Sequence, residues 1–118
     1  MNKTNKKDIT STIGISDELI NKIIIDLDRI NNEKVILNIL NMHPADTADL
    51  IEKLSSEYRK KIIKILGNKF PSDALASMNV PVLITIIDLF KITHITKMLS
   101  ELETDDLIYV FEICEDNL

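Results

Sequence analysis

Apolar side chains recur along this chain at intervals of twelve residues. One column reads Ile30, Met42, Leu54, Leu66, Met78, Phe90, Leu102 and Cys114; another, three places earlier, reads Leu27, Ile39, Ile51, Ile63, Leu75, Ile87, Leu99 and Phe111. In a chain that is 45% apolar, one such unbroken column arises by chance about once in six hundred tries, so the period is architectural. A third column lies four places before the first and joins from Leu50, continuing through Ile62, Ala74, Ile86, Met98 and Val110. Offsets of three and four residues fall on one face of an α-helix.

Just after the first column come residues that stop helices: Asn31-Asn32, His43-Pro44, Ser55-Ser56, Gly67-Asn68, Asn79 with Pro81, the segment 91–93, and Glu103-Thr104. They predict tight turns between eight short helices, over residues 17–30, 33–41, 45–54, 56–66, 71–78, 80–90, 92–102 and 104–115. Helices of about ten residues do not persist alone in water because nucleation is costly, so each apolar stripe must be covered by neighbouring units. The expected class is all-α, one body built by stacking, although the β-branched run over 80–87 leaves a strand reading open there.

Length agrees, since 118 residues suffice for a single domain with a core. The expected division is a flexible lead-in over residues 1–14, which carries Lys3, Lys6 and Lys7 and no apolar period, followed by the helical repeat over 15–118. The lead-in lacks the apolar segment of an export signal. The longest apolar stretch, 80–90, contains Asp88 and falls well short of the ~20 residues that span a bilayer. The single cysteine, Cys114, sits in a core column, which suits a filler in a reducing compartment; cytosol is the expectation. At the end of an array, however, Phe111 and Cys114 lack a further unit to cover them, which predicts exposure and weak self-association.

A net charge of −5 argues against general nucleic-acid binding. Arg59, Lys60, Lys61 and Lys64 form the one basic cluster inside the repeat, expected to be a solvated helix face paired with Glu57. Enzymatic machinery is hard to find. Two glycines, Gly14 and Gly67, cannot build a phosphate-cradling loop, and His43 and His94 lack the spacing of a zinc helix. His43 before Pro44 fits a helix cap, and His94 a partly buried helix face. What remains are carboxylates at helix starts: Asp46, Asp73, Asp105 and Asp106. The helix dipole alone favours acids there, and Mg²⁺, which keeps most of its waters and needs one or two carboxylates, is the other explanation.

The stretch from Met42 to Leu54, M-H-P-A-D-T-A-D-L-I-E-K-L, resembles the opening of the cytosolic N domain of MgtE-type magnesium transporters, which typically reads L-H-P-A-D-x-A-D-L-L-E-x-L. The likeness continues to E-T-D-D-L-I-Y-V-F over 103–111, similar to the family's ending x-x-D-D-x-A-D-x-L. It implies a right-handed superhelical stack of short helices, joined in the whole transporter to CBS modules and a membrane pore, neither of which occurs in this chain. It implies a regulatory role as well: Mg²⁺ held between this domain and the CBS modules of the same or a neighbouring subunit keeps the assembly closed, in a parent that is a homodimer. Residue by residue, Asp105 and Asp106 match the first two acids of D-D-x-A-D and are the implied metal positions. Tyr109 stands where the family has the third acid, and Asp73, in S-D-A-L, matches a segment that often carries an acid, A-E-x-L. Asp46 and Asp49 belong to the H-P-A-D signature, read as helix capping and packing. The competing expectation is a metal-independent interaction scaffold of armadillo-like repeats, similar to the flagellar motor switch protein FliG.

Overall fold

The computed structural model describes residues 14–117, so the expected lead-in lies, apart from Gly14, outside the described residues. These fold into α1 (Asp17–Asp28), α2 (Asn32–Leu40), α3 (Pro44–Lys53), α4 (Ser56–Leu66), a 3-10 turn (Gly67–Lys69), α5 (Ser72–Ala76), α6 (Val80–Ile87), α7 (Ile92–Ser100) and α8 (Thr104–Asn117). Among the described residues there is no strand, and the eight helices fall where the period and the turn residues put them.

Helix starts follow local chemistry. The Ser16 hydroxyl accepts from the Leu19 amide at 3.2 Å, His43 Nδ1 from Ala45 at 3.0 Å, and Asn79 Oδ1 from Val82 at 3.0 Å, each satisfying an amide with no partner inside its helix. Pro44 and Pro81 add the preset φ of a first helical turn. At α6 the Asn79 cap and Pro81 outweigh the β-branched composition, and the buried residues Val82, Leu83, Ile86 and Ile87 form a helical stripe. The segment expected as helix over 71–78 is shorter, because the Ser77 and Met78 amides bond three residues back and tighten the chain into a turn.

The third apolar column is the axis of the core: Leu50, Ile62, Ala74, Ile86 and Val110 are fully buried and Met98 is 2% exposed. The other two columns point inward over most of their length. Phe111 lies 49% exposed on the outer side of α8, as its place at the end of the array predicts; Cys114 departs from that expectation and is buried, since it follows Val110 by one helical turn on the side packed against α5, α6 and α7. Ile30 is 76% exposed with φ +59°. It follows Arg29, the C-cap of α1, at the point where the Ile30 amide donates to the Leu27 carbonyl and the Asn31 amide to the Asp26 carbonyl, the paired bonds of a Schellman ending. That ending needs a left-handed residue, and a β-branched one is strained there by about 1–2 kcal/mol.

α1 packs on α2 and α4, α2 also on α4, α3 on α5, and α5, α6 and α7 all on α8. Helices close in sequence thus cover one another's stripes, an arrangement consistent with a superhelical stack, in a body of 45 × 34 × 21 Å.

Arg59 corrects one expectation. Instead of pairing with Glu57 on a solvated face, its guanidinium donates to the Ile51 carbonyl (2.7 Å), the Glu52 carbonyl (3.0 Å) and the Thr85 hydroxyl (3.2 Å). It closes the C-terminal end of α3 and ties it to α6. Next to it the Tyr58 hydroxyl donates to Asp28 Oδ1 at 2.8 Å, joining α4 to the end of α1, and Lys61 Nζ lies 5.2 Å from the centre of the Tyr58 ring.

Candidate functional site

α8 begins at Thr104, and the Leu107 amide bonds the Glu103 carbonyl at 2.8 Å to close its first turn. Glu103, Asp105 and Asp106 bring three carboxylates into a span of four residues, and with Thr104 they line a shallow open depression. All are exposed. The free amides of a first turn and the positive end of the helix dipole favour carboxylates there without any ion. Among the described residues no group of three or more His, Cys, Asp or Glu side chains converges on a point that would cage a metal. The donor set suits a hard cation that keeps most of its water: oxygen only, anionic and open to solvent, able to supply one or two ligands while water and a second surface supply the rest.

Asp73 stands apart from that depression. It is exposed in the first turn of α5, beside Ser72, whose hydroxyl donates to Glu101 Oε1 at 2.5 Å and so fastens α5 to the end of α7. Tyr109, the departure from the family's third acid, is half-buried and donates its hydroxyl to the Met78 carbonyl at 2.7 Å, holding α8 against the end of α5.

The H-P-A-D stretch builds a second acidic cleft. Asp46, Asp49 and Glu52 of α3 line it together with Gly14 and Ser77, Met78, Asn79 and Val82. Two of the three carboxylates are engaged: Asp49 Oδ2 accepts from the Ile15 amide (2.8 Å) and from Lys53 Nζ (3.0 Å), and Glu52 accepts from Asn79 Nδ2 (3.2 Å). Asp49 therefore pins the start of the fold. Gly14, at φ +97°, passes so close that a Cβ there would sit 2.1 Å from Asp49 Oδ2. The sequence reading placed Asp49 as a packing residue; the partner it packs, thirty-four positions away, carries no local signal.

A family model described as the MgtE intracellular N domain matches residues 42–118. The chain belongs to that family. Within this N domain the matched segment begins just before α3 and runs through both acidic surfaces, while α1 and α2 precede it. Domains of this family are the intracellular N domains of MgtE-type magnesium transporters, which suggests a regulatory domain, and no described helix is long and apolar enough to cross a membrane. Nothing among the curated proteins or the solved structures matches this chain. Burial pushes the Cys114 thiol of the N domain up from its ordinary range, which leaves little thiolate near neutral pH.

Proposed function

We propose that this domain is one half of an intracellular Mg²⁺ sensor, in which the start of α8 meets CBS modules of the transporter and a hydrated Mg²⁺ bridges the two acidic surfaces. The observation that carries the reading is the adjacent exposed pair Asp105 and Asp106, neither of which engages a cation among the described residues. Two facing carboxylates about 6 Å apart repel by ~0.7 to 3 kcal/mol per pair for effective dielectrics of 80 down to 20, and a divalent cation turns that repulsion into a bridge. When Mg²⁺ is scarce the surfaces separate; when it is abundant they close and hold the pore shut. An open half-site keeps water on the metal, so affinity is weak and the response graded. Asp105 is the primary ligand and Asp106 its neighbour in the site, with Asp73 an accessory acid. Tyr109 removes one carboxylate from the set, which weakens the site further. In the homodimeric parent the partner modules belong to the same or the neighbouring subunit.

The test is limited proteolysis of the transporter's entire cytosolic region, CBS modules included, across a Mg²⁺ titration. Mg²⁺ protects the wild type, and Asp105→Asn raises the concentration for half-protection on the order of tenfold, the effect of losing about 1.4 kcal/mol of ion contact. Equal protection of the variant removes Asp105 from the site. Protection that persists in chelator supports instead a metal-independent scaffold.

A further inference from the structure

Away from the acidic surfaces, the chain forms a groove of opposite character. Lys60 and Lys64 of α4 line one side, while Lys91, at the start of α7, and Lys97 of α7 line the other. Between them the floor is apolar, with Ile63, Leu89 and the half-buried ring of Phe90. No aspartate or glutamate lines the groove. In a chain of net charge −5 this concentration of ammonium groups runs against the composition, and among the described residues the one ion pair is Lys53 with Asp49, so none of the four lysines is neutralised by a carboxylate there. His94 stands edge-on to Phe90, 4.9 Å between ring centres, and braces the floor from one side as Phe70 does at 5.4 Å from the other.

We propose that this groove docks an acidic, apolar-anchored peptide segment of a protein partner, with one large apolar side chain seated on Leu89 and Phe90 and carboxylates reaching the lysines on both flanks. Charge complementarity names the sign of the occupant. The distribution of charge names its form: lysines on both sides of an apolar floor match a segment with acids on either side of an anchor, whereas a nucleotide carries its phosphates at one end. A concave floor likewise suits an inserted side chain better than a flat bilayer surface. The inference is independent of the Mg²⁺ reading, since it uses none of the α8 carboxylates.

Fluorescence anisotropy tests it with this chain and a labelled peptide carrying glutamates on both sides of one central tryptophan. Binding is saturable and weakens as salt rises. Lys91→Glu with Lys97→Glu lowers affinity on the order of tenfold, because two attractions become repulsions. Lys91→Glu alone keeps the test clear of unfolding: it puts an acid at the start of α7, where the helix dipole favours it, so thermal stability holds or rises while binding falls. Four binding results would overturn the proposal. These are unchanged affinity in the double variant, equal binding when the tryptophan is replaced by glycine, displacement of the peptide by ATP, and failure of the peptide to bind while phosphatidylserine vesicles capture the chain through Lys91. A concentration-dependent dimer abolished by Lys91→Glu would assign the groove to a second copy and equally overturn it.

Discussion

At Arg59 a planar fork of donors meets the two carbonyls that end α3 and a hydroxyl on α6, so a single side chain meets hydrogen-bonding needs in two other helices. Arg59→Ala therefore lowers the unfolding free energy by about 2–3 kcal/mol in urea denaturation, since it strips the Glu52 carbonyl of its donor, leaves the Ile51 carbonyl only the longer bond from the Leu54 amide (3.3 Å), and removes a charged donor. Arg59→Lys restores less than half, because a point-like ammonium cannot span all three acceptors. Nothing in the local sequence separates Arg59 from Lys60 and Lys61, which remain exposed; the chemical difference between guanidinium and ammonium was the available signal. The same holds at Ile30. Its place in an apolar column predicted burial, but a Schellman ending turns the chain there, and the ending is defined by hydrogen bonds to Asp26 and Leu27 rather than by the residue at the turn.

Among the elements, helix starts were legible because caps and prolines act within three or four residues of themselves, as at His43-Pro44 and Asn79-Val80-Pro81. Helix ends were less so: the turn after α5 is set by bonds from Ser77 and Met78 that compete with continuation of the helix, a balance that composition does not reveal. The apolar period also ranked the faces imperfectly, for the third and shortest column proved the most deeply buried. Ile86→Ala, in that column, costs about 3–4 kcal/mol by loss of transfer energy and creation of a cavity, whereas Phe111→Ala, half open to solvent, costs under ~1 kcal/mol. Chemical denaturation of the two variants measures the contrast. Comparable losses would mean that the inner and outer faces of the stack had been misassigned.

Across the whole molecule, contacts between distant units link stability to solution conditions. Tyr58 joins α4 to Asp28 at the end of α1, and this hydrogen bond, with desolvation and the charges of Asp28 and Glu57, raises the phenol above its ordinary value of 10.0. The folded state thus favours the neutral phenol. Its contribution is complete below pH 10, where the unfolded chain also keeps the proton, and is lost as pH rises through the higher folded value. Tyr58→Phe flattens the alkaline limb of a thermal-stability profile, a change read by calorimetry between neutral pH and the tyrosine range. At this scale the sequence announced the family through Met42–Leu54 and the acids through Asp105 and Asp106, yet not their surroundings. Exposed carboxylates at a helix start look alike whether they cap or bind, and what would distinguish them is a second surface. Similarly, the lysines of the groove are scattered over thirty-seven positions and come together only through packing of α4 near α7.

Solenoids held only by adjacent repeats tend to unravel from their tips, one unit at a time. Arg59, Tyr58 and Tyr109 act as stitches that skip across units, from α4 to α6, from α4 back to α1, and from α8 to the end of α5. A chain sewn in this way resists fraying from its tips, because loosening one end must also break bonds to helices beyond its neighbour.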